Sequence, residues 1–317
     1  MKVLALSGGT GTPKLLKGFE EVIGQENISV IVNTSDNIWL NGLYIAPDID
    51  SIIYLFSGLL DVERGWGIKG DTFNSFEALK AYGAQDWFYI GDRDLATHLY
   101  RTHLLNKGYS LTSVTKYMAS KLGVKALVLP MCNEHVEARV LTDHGDLHIQ
   151  EYLVKYKLKP EVYGIAFNGM DKARAPKEVL KAIDESELIV IGPSNPINSI
   201  GPILMVQGVK ERIIEKRKSG TPIIAVSPII GGRPLKGPAH IFLNALGYET
   251  SSFGVAEIYA DIATAIVVDR VDEREASRIR SKLGLTTYIE DIVMKDLDDK
   301  VKLAKRILNI ARELRER

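Results

Sequence analysis

The apolar positions of this chain fall into short β-branched runs, each followed by residues at helical spacing. Residues 3–6 run into a glycine-rich loop, after which Leu15, Leu16, Phe19 and Val22 share one helical face. A second run, 28–32, leads to the polar turn Asn33-Thr34-Ser35-Asp36-Asn37. The chain therefore opens as β-α-β, with Thr12 placed as a helix N-cap and Pro13 at the first helical position. From Asp48 to Tyr117 the pattern is mostly helical, with candidates at 52–56, 74–81, 94–106 and 111–122. So long an excursion before the next strand, 126–129, predicts a helical insertion or cap over residues 48–123. Residues 136–149 predict a hairpin turning at Asp143-His144-Gly145-Asp146.

Beyond the hairpin the α/β rhythm resumes, with strands expected at 162–167, 188–191, 223–226 and 264–268 and helices at 176–183, 202–217, 238–245 and 255–261. A closing helix at 298–315 gathers Val301, Ala304, Ile307, Leu308 and Ala311 on one face. There is no low-complexity tract, internal repeat or flexible linker. The expected fold is α/β: a Rossmann-like, mostly parallel sheet flanked by helices, forming one domain over 1–317 with the helical insertion inside it.

Charge sharpens this picture by what it removes. Forty Lys and Arg balance forty Asp and Glu, so no global basic field points to DNA or RNA, while a small anionic ligand remains open. The apolar stretch after Met1-Lys2 is too short for a signal sequence or membrane span, which predicts a cytoplasmic protein without a membrane partner. A single cysteine, Cys132, excludes an intrachain disulfide framework and a cysteine-cluster metal site.

The densest chemical signal is Ser7-Gly8-Gly9-Thr10-Gly11-Thr12-Pro13-Lys14. Three glycines allow close backbone approach, and loop amides with a helix terminus suit an anion. Gly8, Gly9, Thr10, Gly11, Thr12 and Lys14 are thus candidate phosphate-binding residues. The order of glycine, lysine and hydroxyl is not that of a P-loop, and the spacing departs from the dinucleotide fingerprint. A second loop, Gly192-Pro193-Ser194-Asn195-Pro196, follows an apolar run, and Ser194 and Asn195 offer hydroxyl and amide groups there. A third runs from Ser227 through Gly231 to Arg233.

Asp48 and Asp50 supply the acidic chemistry. Two apart, they point the same way in an extended segment and diverge in a helix. One or both suit Mg²⁺, and Asp50 suits an attacking hydroxyl; helix capping by Asp48 and solvation of Asp50 explain the same residues. Arg93, in Gly91-Asp92-Arg93-Asp94, has a planar fork fitted to phosphate or a heterocycle edge, and Asp92 is placed to neutralise it. Asp94, His98 and His103 lack the spacing of a zinc signature. Trp66, between Gly65 and Gly67, is the tryptophan best placed to wall a flat ring.

Taken together, the glycine loop through Leu16, Pro47-Asp48-Ile49-Asp50, Gly91-Asp92-Arg93-Asp94 with Ala96-Thr97-His98, Gly192 to Pro196 and Ser227 to Gly231 closely resemble, in this order, the 2-phospho-L-lactate transferase (CofD) family of coenzyme F420 biosynthesis. The stretch from Asn33 to Asn37, ligand-facing by the resemblance, varies from that pattern in its polar contacts. The resemblance implies a Mg²⁺-assisted enzyme that moves a phospholactyl group from lactyl-2-diphospho-5'-guanosine to the ribityl hydroxyl of a deazaflavin, releasing GMP, with an enolpyruvyl donor as a variant. It implies catalytic roles for Asp50 and Arg93, guanosine diphosphate at Ser194, Asn195, Ser227 and Gly231, metal at Asp50 with Asp48 in reserve, and an archaeal homodimer. The competing readings are a nucleotide-sugar-binding regulator, distinguished by binding UDP-sugars and not the deazaflavin, and an NAD-dependent oxidoreductase.

Overall fold

The computed structural model describes residues 1–316. Seven strands make one wholly parallel sheet: β1 (Val3–Ser7), β2 (Ile28–Val32), β3 (Leu127–Pro130), β4 (Leu188–Ile191), β5 (Ile223–Val226), β6 (Ala265–Asp269) and β7 (Thr286–Glu290). They lie in the order β3-β2-β1-β4-β5-β6-β7. The order reverses between β1 and β4, and ligands of open α/β sheets sit outside the carboxyl ends of the strands at such a switch point. Leu4, Leu6, Ile189, Ile191, Ile223 and Ala225 enter one core, while Val3, Ala5, Leu188, Val190, Ile224 and Val226 enter the other. Burial on both faces is why these runs are continuously apolar and not alternating.

Five helices precede the middle of the chain: α1 (Thr12–Ile23), α2 (Pro47–Phe56), α3 (Asn74–Ala81), α4 (Asp92–Asn106) and α5 (Leu111–Lys121). α2 puts Ile49, Ile52, Ile53 and Phe56 into the second core, and α5 adds Leu111 and Ala119. The C-terminal helix Leu297–Arg315 buries Leu303, Ala304, Ile307, Leu308 and Ala311 in the same core. Its backbone lies so close to α1 that a β-carbon on Gly18 would fall on the carbonyl of Lys300.

Three expectations are corrected. Gly11, not Thr12, occupies the N-cap of α1, and Thr12 is the buried first residue of the helix, its hydroxyl engaged elsewhere. The strand Val162–Asn168 does not enter the parallel sheet; it pairs antiparallel with Glu137–Thr142, which with Gly145–His148 forms a separate three-stranded sheet. The helix expected at 202–217 breaks into Gly201–Met205 and Val209–Lys218, because Gly208 adopts φ 96, a left-handed conformation no helix interior contains. Among the described residues no helix is long and apolar enough to cross a membrane.

Candidate active site

The loop after β1 and the loop after β4 meet backbone to backbone at the sheet's switch point. A β-carbon on Gly11 would fall on the Pro193 carbonyl, and one on Gly192 on the Thr12 side chain. Glycine is required at both places by contact: neither has a positive φ. Ser194 ties the two loops together, its Oγ accepting from Gly8 N at 3.2 Å and Thr12 N at 3.4 Å and sharing a 2.7 Å hydrogen bond with Thr12 Oγ1. Thr12 thus spends its hydroxyl on the neighbouring loop.

Beside this junction lies a cavity of about 710 Å³, walled by Gly9, Thr10, Gly11, Lys14, Asp48, Asp50, Trp66, Ser194 and Asn195 among the expected residues. Asp36, Asn198, Tyr89, Arg64, Lys236 and Lys295 also line it. The four cations Lys14, Arg64, Lys236 and Lys295 are exposed, whereas Asp36 and Asp48 are buried. The cavity therefore joins an acidic, desolvated end to an open, cationic one.

Pro47 starts α2, so Asp48 and Asp50 both sit in its first turn and diverge. Asp48 turns to the glycine loop and to Asn33, whose Nδ2 donates to Asp48 Oδ2 at 3.1 Å and to Asp36 Oδ1 at 2.8 Å. Burial lifts the Asp36 carboxyl to about 6 against the hydrogen bonds from Asn33, Ser35 and Asn198. Burial, then the neighbouring Asp36, holds Asp48 well above the usual carboxylate range. Sequence reasoning did not place Asp36 in the site, although its loop leaves the carboxyl end of β2 beside β1, where the same rule of α/β sheets applies.

Asp50 turns the other way, to α4. Arg101, only 1% exposed, grips both its oxygens: Nη2 meets Oδ1, and Nη1 donates to Oδ2 at 3.0 Å. Nη1 also lies 3.2 Å from His98 Nδ1, and His98 Nε2 is 3.4 Å from Asp94 Oδ1. Tyr54 donates its hydroxyl to Asp94 Oδ1 at 2.7 Å. Burial opposes the charge on Arg101, but Asp50 outweighs it and the guanidinium pKa is raised. Burial likewise opposes ionisation of Asp94, yet His98 and Tyr54 hold its pKa below the usual value. Ligand atoms of Asp50, Asp94 and His98 lie within 4.8 Å of one another, a set that could hold a metal ion.

Five expected site residues stand outside the cavity walls, and two of them, Gly8 and Thr12, are held in the loop junction by Ser194. Arg93 is exposed on α4, its Nη1 donating to the Lys69 carbonyl at 3.3 Å while Asp71 accepts its backbone amide. The cavity-facing side of α4 is instead that of Asp94 and His98. Ser227 is buried, donating its hydroxyl to Ile229 O at 2.9 Å. Gly231 donates its amide to Asp272 Oδ1 at 3.0 Å in a tight turn at φ 54. It is the continuation of this loop, Leu235 to Pro238, that reaches the cavity. Asn195 does line it: Oδ1 caps the following turn through Ile197 N at 2.9 Å, leaving Nδ2 buried without a hydrogen-bond partner, as is Oδ1 of Asn198.

Residues 3–307 match the family model described as 2-phospho-L-lactate transferase CofD. The chain belongs to the 2-phospho-L-lactate transferase family. It is 39% identical over 306 residues to the 2-phospho-L-lactate transferase of Methanosarcina mazei, covering 96% of this chain and 99% of that one. Against the enzyme of the same name from Methanocaldococcus jannaschii it is 39% identical over 316 residues, covering 98% and 99%. A crystal structure of an upf0052 family member from Bacillus halodurans superposes with a TM-score of 0.64 at 18% identity, covering 96% of this chain and 98% of that one, a likeness of fold. This chain is accordingly an enzyme of the 2-phospho-L-lactate transferase family with a mixed α/β architecture. The glycine loop, Asp48, Asp50 and the Ser194 loop, through which the motifs resemble that family, converge on one cavity.

Proposed function

We propose that this enzyme transfers the phospholactyl group of lactyl-2-diphospho-5'-guanosine to the terminal ribityl hydroxyl of 7,8-didemethyl-8-hydroxy-5-deazariboflavin, forming coenzyme F420-0 and GMP. The observation that carries the reading is the joining of buried carboxylates to exposed cations in one cavity beside the glycine loop. A diphosphate ester needs cations and amides along its phosphates, and an alcohol nucleophile must be held in line with the phosphorus. The acceptor oxygen attacks the phosphorus that carries the lactyl group. The bond from that phosphorus to the bridging oxygen breaks, GMP leaves with the electron pair, and the hydroxyl proton is lost.

In this reading Gly9, Thr10 and Gly11 face the reacting phosphates, with Lys14 and Lys236 alongside. The unpartnered amide groups of Asn195 and Asn198 suit the polar edges of the nucleoside. Trp66 and Tyr89 suit the flat deazaflavin, and Asp50 orients the acceptor hydroxyl. Mg²⁺ fits Asp48 and Asp36, two neighbouring buried carboxylates bridged by Asn33, in preference to Asp50, which is already paired with Arg101. Bound there, the ion neutralises charge on the diphosphate.

The test is to incubate the purified protein with the deazaflavin, Mg²⁺ and either the lactyl or the enolpyruvyl diphosphoguanosine, and to follow GMP release and product mass together. Stoichiometric GMP and the phosphoester product are expected. No product with either donor, together with tight binding of a UDP-sugar or NADH, overturns the proposal.

A further inference from the structure

Arg101 is a residue whose place in the fold exceeds what packing requires. A fully buried guanidinium is expensive to desolvate, and replacing a buried ion pair with apolar side chains is often neutral or stabilising. Here the cation lies behind the cavity wall formed by Asp50, Asp94 and His98, on the third turn of α4, and both of its terminal nitrogens are spent on Asp50. Its Nε is buried without a partner, so the guanidinium is not satisfied as a structural arginine would be. Among the described residues this one side chain supplies the hydrogen bonds to the Asp50 carboxylate, with His98 Nδ1 next at 3.6 Å from Oδ2. The same guanidinium also stands against His98, so it contacts two of the three residues whose ligand atoms lie within 4.8 Å of one another.

We propose that Arg101 is a positioning residue for the transfer: it is the fixed counter-cation that aims Asp50 at the acceptor end of the cavity, and it fills the place a divalent ion would take among Asp50, Asp94 and His98. The inference rests on the transfer reaction proposed above. It divides the acidic residues by task. Asp36 and Asp48 are left for the exchangeable cation and the diphosphate, while Asp50 carries its own permanent one. Arginine suits this better than lysine because a planar fork engages both carboxylate oxygens and fixes the carboxylate plane, which a point charge does not.

Arg101→Met and Arg101→Lys, with Asp50→Asn/Arg101→Met as the variant that leaves no lone buried charge, test this by two readouts. In turnover, Arg101→Met is expected to lower kcat by about 100-fold with the donor KM within about threefold, Arg101→Lys to recover only part of it, and added guanidinium ion to restore activity to Arg101→Met. In Mn²⁺ binding by equilibrium dialysis without substrates, Arg101→Met gains one site over the parent, and Arg101→Met/His98→Gln loses it again. A folded Arg101→Met with parental kcat, or an Asp50→Asn protein that loses a Mn²⁺ ion bound by the parent, overturns the proposal. If Arg101→Met does not fold, the double variant and Arg101→Lys decide together: a gain of Mn²⁺ with Asp50 absent, or parental kcat in Arg101→Lys, overturns the assignment, and parental Mn²⁺ binding in the double variant with a lowered kcat in Arg101→Lys supports it. Should the parent transfer no phospholactyl group at all, the functional reading fails, while the Mn²⁺ count still reports on Arg101.

Discussion

At the scale of single residues, Asp36 shows how the site stores unfavourable charge. With its carboxyl lifted to about 6 by burial, the folded protein keeps a proton on Asp36 that the unfolded chain, titrating near 4, has released. The native state therefore binds more protons between those values, and stability falls as pH rises through the window and stays low above it. Asp36→Asn removes this term and also relieves Asp48. In EDTA at pH 7 the variant is expected to be more stable than the parent by roughly 2 kcal/mol, with the difference vanishing near pH 4. Urea denaturation midpoints across the range measure it, and a variant less stable than the parent at pH 7 would refute the assignment. Gly9 makes a second case. A β-carbon there would fall on the Asp48 carboxylate and come within 3.3 Å of its Cα, so Gly9→Ala must displace Asp48 or lift the loop. A loss of about 1–3 kcal/mol in stability is expected, with a fall of about 100-fold in transfer rate, read by GMP release at a temperature where the variant is folded.

At the scale of elements, what could be read from the sequence depended on how strongly local pattern and tertiary setting agree. The strands β1, β2, β4 and β5 are buried on both faces, so their continuous apolar runs survive any arrangement of neighbours. The C-terminal helix was equally legible because its stripe covers one core. Val162–Asn168 has the composition of any strand, and composition does not say which sheet it joins; the hairpin before it captures it antiparallel. The helix Glu273–Leu283 was missed because only Ala276 and Ile279 of its residues are buried, too weak a stripe to stand out among charges. In the site, the glycine loops were legible as ligand-facing, but not that their glycines answer to Pro193 and Thr12 across the crevice. Arg101 was invisible for a like reason, since it acquires meaning only from Asp50, far away in sequence, whereas Asp36 stood in a stretch read as ligand-facing but not singled out within it. The contact between α1 and the C-terminal helix yields a prediction at this scale. Gly18→Val places branched carbons on the Lys300 backbone and is expected to cost about 1–3 kcal/mol, seen as a lower melting temperature. A parental melt would mean that the helices are not held this closely.

At the scale of the whole molecule, a chain with no formal net charge builds a strongly divided local field. Segments from Gly9 through Lys295 contribute to one cavity, which sets buried Asp36 and Asp48 against exposed Lys14, Arg64, Lys236 and Lys295. The loop bearing Arg64 and Trp66 and the loop bearing Lys236 approach closely enough that a β-carbon on Gly65 would lie 2.8 Å from Lys236 Nζ, so one stretch of cavity wall is shared by segments far apart in sequence. Because these cations are solvent-exposed, their attraction for a diphosphate donor is screened over about 8–10 Å at ordinary ionic strength. The field of the buried aspartates, which acts on a cation and not on the diphosphate, is screened much less. Lys236→Ala is therefore expected to raise the donor KM by about tenfold at low salt and to flatten the fall of kcat/KM with added NaCl, leaving the deazaflavin KM and kcat near parental values. Initial rates across a salt series, varying each substrate in turn, separate the two. An unchanged donor KM, or a salt dependence as steep as the parent's, would show that Lys236 lies beside the diphosphate without attracting it, and would shift that task to Lys14 and Lys295.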